Sequence, residues 1–260
     1  MFAEERQRLV AERVAEAGRV SVTELAERFS VTTETVRRDL ASLETAGVLR
    51  RVHGGAVPAE RASTAEASLS ERQVQNLAEK RRMAEAAAAL IVSSRAGSIL
   101  LDAGSSTEAV ADCLLSHPDG APELVVMTNA LPIADKLAAV PGLAVHLLGG
   151  RIRPVTRAAV GQAAIDAVER HRPDLAFIGA NGVHADFGLS TPDPEEAAVK
   201  AAFVRCARRA VVLADHTKFA VEALVQFGRL DAIDTLVTDR APEGELAAAL
   251  DDAGVEVMAP

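Results

Sequence analysis

The first part of the chain carries a helical rhythm. Apolar residues at Leu9, Val10 and Val14 mark one face of a helix over about residues 3–17, and Gly18 stands where such a helix ends. Next, Ser21 with Glu24 three positions on spells a capping box, with Val20 and Leu25 set as a hydrophobic staple. This predicts a second helix running to about Phe29. A third is predicted from Thr33 to about Thr45, with Thr32 as N-cap and Glu34 in the first turn, where the helix dipole favours an acid. At about 100° per residue, Val36, Leu40 and Leu43 form a core stripe. Glu34, Arg38, Ala41 and Thr45 lie opposite, flanked by Thr35, Arg37 and Ser42. Gly47 closes this helix. Two short apolar-bearing runs, 48–52 and 56–57, then flank Gly54-Gly55, which is a hairpin signal.

The pattern changes beyond residue 57. Residues 58–70 are small, polar and aperiodic, and read as a connector. A single helix is predicted over about 71–92, with alanines on its inner side. From Gly97 short apolar runs at 99–101, 124–127, 145–148, 175–178, 211–213 and 236–237 alternate with helical patterns. That is βαβ grammar and predicts an α/β unit with a mostly parallel sheet. The domain reading is therefore 1–57 as a winged helix-turn-helix, 58–70 as connector and 71–260 as the α/β unit.

Composition narrows the possibilities. Half of the 260 residues are apolar, yet only 3% are aromatic and there is no Trp or Tyr, so the core must be aliphatic. The missing aromatics also count against single-strand nucleic-acid binding, which depends on base stacking. Cys113 and Cys206 stand far apart with no metal-ligand spacing, and predict a reduced, cytoplasmic protein without a metal site or cofactor. No apolar run is long enough to span a membrane, and "MFAEERQRLVAER" is charged from the start, unlike a signal peptide. The net charge is −9, but residues 1–57 hold nine arginines and nine acids. All of the excess acidity thus lies beyond residue 57, and does not oppose a DNA-facing surface in the first unit.

Two helices joined by so short a turn, the second with arginines and hydroxyls outward, form a helix-turn-helix. Alone, Arg37 and Arg38 read equally well as a solvated face. The basic hairpin that follows, with Arg50, Arg51 and His53, adds a wing suited to phosphates or a minor groove. Ser21, Thr23, Thr33, Glu34, Thr35 and Ser42 complete the candidate DNA-contacting set.

In the larger unit, polar residues cluster after the predicted strands, on the edge where open α/β sheets bind ligands. The clusters are Asp102 with Gly104, Ser105, Ser106 and Thr107; Thr128 with Asn129; Gly149, Gly150 and Arg151; Asn181 with Gly182; Asp215 with Lys218; and Thr238 with Asp239. Together they are expected to converge. Gly104 to Thr107 is the best phosphate cradle, since glycine allows close approach and a helix N-terminus follows.

The stretch "RVSVTELAERFSVTTETVRRDLASLETAGVLRRVHGGAV" (residues 19–57) resembles the DNA-binding domain of the DeoR family of bacterial sugar-metabolism regulators. The pieces Glu79-Lys80, "LDAGSST", "TN", "LLGG", "FIGANGV", "GLSTPDPEEAAVK" and "VVLADHTKF" resemble that family's sensor domain, which is similar in fold to ribose-5-phosphate isomerase and glucosamine-6-phosphate deaminase. The last but one of these adds Glu196 and Lys200 to the candidate effector-binding set. The resemblance implies a repressor that binds double-stranded operator DNA as a dimer or tetramer and is released by a phosphorylated sugar. "FAEERQ" and "VTTETVRRDLASLE" look closest to repressors of fructose operons, which implies fructose 1-phosphate. Ser105 and Ser106 replace threonines usual in the family, Ala130 a serine and Ala220 a glycine. Two other readings stand beside the repressor: an isomerase or deaminase with an accessory DNA-binding domain, and an activator of the same family. No residue is assigned a catalytic role.

Overall fold

A computed structural model describes the chain except residues 1–2, 18–19, 46–47, 53, 59–62, 65 and 117–123. Gly18, Gly47 and His53, and part of the stretch read as connector, therefore lie outside the described residues. The chain divides into two compact units, Met1–Ala62 and Ser63–Pro260, each with a hydrophobic core of its own.

The smaller unit has three helices, α1 (Ala3–Ala17), α2 (Val22–Phe29) and α3 (Thr33–Thr45). Its three-stranded sheet comprises β1 (Val20–Ser21), β2 (Leu49–Val52) and β3 (Gly55–Pro58). β3 lies between β1 and β2, antiparallel to both, so the hairpin predicted from sequence gains a third strand from the start of α2. Gly55 allows this pairing: a Cβ there would stand 2.0 Å from the Val20 carbonyl oxygen. The Ser21 hydroxyl accepts the Glu24 N–H at 3.1 Å, as a cap should. The Glu24 carboxylate does not complete the predicted box; it reaches Arg13 at 3.4 Å.

Val36, Leu40 and Leu43 are buried with Leu25, Val10, Val14 and Leu49, as the periodicity predicts. A feature the pattern did not predict is a buried ion pair. Arg6 on α1 meets Asp39 on α3 through two hydrogen bonds, Nε–Oδ2 at 2.6 Å and Nη2–Oδ1 at 3.2 Å. Gln7 adds a third at 3.1 Å. These bonds fix α3 against α1.

The larger unit begins with two helices, α4 (Leu69–Val74) and α5 (Leu77–Ser94), where the sequence predicts one. The break is at Asn76, whose φ of 50° is left-handed. Part of the stretch read as connector is tied into this unit: Ser68 heads α4 with a full capping box to Glu71, and Glu66 lies 2.6 Å from Arg153. Then come β4 (Ser98–Leu101), α6 (Ser105–Ser116), β5 (Leu124–Thr128), α7 (Leu131–Leu137), β6 (Leu143–Leu147), β7 (Arg151–Arg153), β8 (Ala158–Val160) and α8 (Gln162–Glu169). The chain continues through β9 (Leu175–Gly179), β10 (Gly182–His184), β11 (Gly188–Thr191), α9 (Pro194–Cys206), β12 (Arg209–Leu213), β13 (Val225–Gly228), β14 (Thr235–Val237), α10 (Gly244–Asp252) and β15 (Glu256–Met258).

Seven strands form a wholly parallel sheet in the order β15-β14-β12-β9-β4-β5-β6. From β4 the chain first builds outward through β5 and β6, then returns to the other side with β9. The order thus reverses between β4 and β9, the topological switch point at which such sheets bind ligands. Its core is aliphatic, as predicted, with Phe177 and Phe203 the largest fully buried side chains. β10, β11 and β13 form a separate antiparallel sheet, and β7 and β8 a hairpin.

Candidate functional site

The smaller unit offers a surface for DNA. Thr33, Glu34, Arg37, Arg38 and Ser42 are exposed on α3, and Ser21 and Thr23 are exposed at the start of α2. Thr35 is half-buried; its N–H is held by the Thr32 hydroxyl at 3.2 Å, the cap predicted for α3. Glu34 sits 3.7 Å from both Arg37 and Arg38, beyond hydrogen-bond reach, so both guanidinium groups stay in water. Arg51 is engaged: its N–H and Nε reach the Glu44 carboxylate at 2.9 and 2.6 Å, clipping β2 to α3. These bonds hold the Glu44 carboxyl below its usual range. Arg50 lies on β2 opposite Val57.

In the larger unit a crevice opens at the C-terminal ends of β4, β9 and β12, lined by Gly104, Ser105, Ser106, Asn181, Glu196, Lys200, Asp215 and Lys218 among others. Its floor is a buried pair. Asp102, at the end of β4, accepts the Gly179 N–H at 3.2 Å and a charged bond from Lys200, which also donates to the Gly179 carbonyl at 2.9 Å. Burial pushes the Asp102 carboxyl up, against the pull of Lys200. The Lys200 ammonium also stands 5.8 Å over the Phe227 ring. With its charge matched by Asp102, Lys200 supports the floor.

The remaining walls carry the accessible chemistry. Ser105 and Ser106 open α6, whose first amides point out of the helix end. Asp215 accepts from Asn76 Nδ2 at 3.2 Å and from the Thr217 N–H at 3.0 Å, and so shapes the turn that ends in Lys218. The Asn181 amide oxygen accepts from Thr191 at 3.0 Å. Glu196 is buried beside the Thr156 hydroxyl and Arg153, the latter at 3.3 Å. Its N–H, with that of Glu195, is capped by Asp193 at 3.0 Å.

The fourth wall is the break between α4 and α5, contributing Arg72, Gln75, Asn76 and Lys80. None of these was read from the sequence as a site residue. The available signal was the Glu79-Lys80 pair, which falls at the start of the helix that follows the break. Lys80 is buried, and its ammonium donates to the Arg72 carbonyl at 2.5 Å and the Gln75 carbonyl at 2.7 Å, satisfying the end of α4. Burial lowers its pKa to about 8, with the Asp215 charge acting in the opposite sense. Lys80 and Lys218, with Arg72, which pairs with Glu66 at 3.6 Å, form the basic side of the crevice.

The six clusters do not all converge. Thr107 is fully buried and its hydroxyl donates to the Asp102 and Gly104 carbonyls at 2.6 and 2.9 Å. Thr128 accepts the Ala130 N–H at 3.0 Å, which shapes the turn after β5, and Asn129 donates to the Ala159 carbonyl at 3.1 Å, which binds β8 to the sheet. Gly149 is exposed away from the crevice, and Gly150 packs on β8, where a Cβ would meet the Val160 oxygen at 2.6 Å. Arg151 pairs on the surface with Glu195. Gly182 admits the Val221 carbonyl, which would lie 2.2 Å from a Cβ. Asp239, after β14, accepts the His216 N–H at 2.7 Å. For the residues after β5 and β6 the physical reason is distance along the sheet. β5 and β6 stand one and two strands beyond β4, at about 4.8 Å each, and their ends turn into the β7–β8 hairpin.

Among the described residues no cluster of three or more His, Cys, Asp or Glu is arranged to hold a metal, and no helix is long and apolar enough to cross a membrane. A winged helix-turn-helix joined to an α/β unit with a cationic crevice at its switch point is the build of a ligand-responsive transcriptional regulator. Family models agree: residues 6–62 match the DeoR-like helix-turn-helix domain and residues 75–240 the DeoR C terminal sensor domain. The chain belongs to the DeoR family of transcriptional regulators.

Its relatives include the uncharacterized HTH-type transcriptional regulator FruR of Bacillus subtilis, 34% identical over 92% of each chain. The HTH-type transcriptional regulator GlpR of Haloferax volcanii is 34% identical over 99% of this chain and 98% of its own. The glycerol-3-phosphate regulon repressor of Escherichia coli is 31% identical over 95% of each. These relatives are regulators rather than enzymes. Among solved structures, ribose 5-phosphate isomerase A from Methanocaldococcus jannaschii is 16% identical, with a TM-score of 0.37 over 54% of this chain and 53% of that one. That likeness spans about half of either chain and carries nothing about activity.

Proposed function

We propose that this regulator represses a sugar-utilisation operon in the cytoplasm and is released from its operator by a phosphorylated sugar. Residues 1–57 are the DNA reader and residues 71–260 the sensor, working as a dimer or tetramer so that two readers meet two half-sites. The observation that carries the reading is that Arg72, Lys80 and Lys218 line the same crevice as Ser105 and Ser106 at the N-terminus of α6. A phosphate fits that combination of ammonium groups, hydroxyls and amides. Asn181 and Asp215 supply the polarity that sugar hydroxyls need. Fructose 1-phosphate is the first effector to test, in line with the FruR relative and the opening sequence of the chain. The ligand shifts DNA affinity to the extent that it binds the two arrangements of the protein differently.

A thermal-shift panel of fructose 1-phosphate, fructose 6-phosphate, ribose 5-phosphate and glycerol 3-phosphate on the full chain tests the sensor, since ligands of the native state raise its midpoint. One of them is expected to raise it and to release operator DNA in a gel shift. Lys218→Ala should keep DNA binding and need a higher ligand concentration for release. Arg38→Ala should weaken operator binding and leave the thermal shift intact, with a salt slope smaller by about one. A panel with no shift, or release of Lys218→Ala at the wild-type concentration, defeats the corresponding assignment.

A further inference from the structure

Helix α3 carries three carboxylates, and the fold treats each differently. Asp39 is buried against Arg6, 2.6 Å away. Glu44 holds the β2 strand through the N–H and Nε of Arg51. Glu34 alone is left in the open, its side chain 64% exposed, on the same face as Arg37 and Arg38. Its two contacts, both at 3.7 Å, are loose solvated pairs of the kind that contribute little and exchange readily.

Its position is informative. Glu34 lies in the first turn of α3, the end of a recognition helix that meets base edges. A carboxylate there raises the cost of approaching the phosphates, a cost that the two flanking arginines offset. An ionised carboxylate accepts hydrogen bonds and donates none. In the major groove guanine presents two acceptors, thymine an acceptor and a methyl group, and adenine an acceptor beside a donor. Only cytosine presents a donor alone, the N4 amino group.

We propose that Glu34 is a specificity-determining residue that accepts a hydrogen bond from the N4 amino group of one cytosine in each half-site, the flanking arginines keeping it compatible with the polyanion. This rests on the DNA-reading role proposed above for α3. A first-turn acid also suits the helix dipole without touching a base, and an acid beside two arginines can merely orient them.

The test is selection of binding sites from a random-sequence DNA library, at fixed moderate salt, by the full chain and by Glu34→Ala and Glu34→Gln. Because Glu34 is exposed, both variants should keep the wild-type circular dichroism. The wild type is expected to prefer cytosine about tenfold at one position of each half-site. Glu34→Ala loses that preference and leaves the other positions as they were. Glu34→Gln moves it to adenine, which a carboxamide pairs through N6 and N7. The proposal is overturned if Glu34→Ala binds more tightly with every preference unchanged, the behaviour of an acid that serves only the helix. It is equally overturned if the lost preference is for guanine, the behaviour of an acid that only orients the arginines. A wild-type chain that selects no sequence overturns both this role and the DNA-reading assignment.

Discussion

Replacing Asp39 by alanine leaves the Arg6 guanidinium buried without its counter-charge and removes the acceptor of Gln7. Both side chains are nearly out of water, 10% exposed for Arg6 and 5% for Asp39. Removing one partner of a buried pair costs about 3–5 kcal/mol. The core around this pair is small, so the low end, about 3 kcal/mol, applies. A unit of this size is worth about 3–9 kcal/mol in all at roughly 0.05–0.15 kcal/mol per residue. The substitution therefore removes a third or more of its stability and lowers its midpoint by about 12–24 °C. Calorimetry of the full chain reads this, because each unit has its own core and is expected to unfold in its own transition. The transition of the smaller unit should fall while that of the larger stays, operator binding should fail first, and the phosphosugar thermal shift should persist. The pair Arg6→Met with Asp39→Leu should recover most of the loss, since apolar replacement removes both charges together. A small-unit midpoint within about 2 °C of wild type for Asp39→Ala, or an equal fall in both units, would refute the reasoning.

Two further outcomes are expected. Between about pH 8 and its unfolded value, Lys80 has lost its proton in the folded chain while the unfolded chain still binds it, so stability rises with pH in that window. Urea midpoints at about pH 7.5 and about pH 9.5 should show a rise that Lys80→Met lacks, while affinity for a phosphorylated sugar falls over the same window in the wild type only. Ala220 sits at a left-handed φ of 54°, so Ala220→Gly should relieve strain and raise stability by up to about 1 kcal/mol in urea unfolding; a loss of stability would show that the turn is not strained.

The smaller unit was almost wholly legible because its signals are local: a cap at Ser21, a cap at Thr32, and a stripe at Val36, Leu40 and Leu43. What the sequence hid there depends on distant partners. The two-residue strand β1 is defined only by β3, and the fate of Asp39 only by Arg6, thirty-three positions away. In the larger unit the parallel strands were legible as apolar runs. The break at Asn76 was not, because it rests on Lys80 capturing carbonyls and on Asp215 capturing the Asn76 amide from 139 positions away. The rule that ligands sit at strand ends points to the residues after β4, β9 and β12, and these share one crevice. Those after β5 and β6 do not line it, since that rule gives the edge and strand order decides which part of it opens.

The aliphatic core has a spectroscopic consequence. With no Trp and no Tyr, the chain has no strong emitter and almost no absorbance at the usual protein wavelength. Native fluorescence is silent about folding, DNA binding and effector binding alike. That silence makes one position valuable: Phe227, whose ring lies under the Lys200 ammonium at the floor of the crevice. Phe227→Trp would emit against a dark background, with a cation over its face, and would report any change in the packing beneath the crevice.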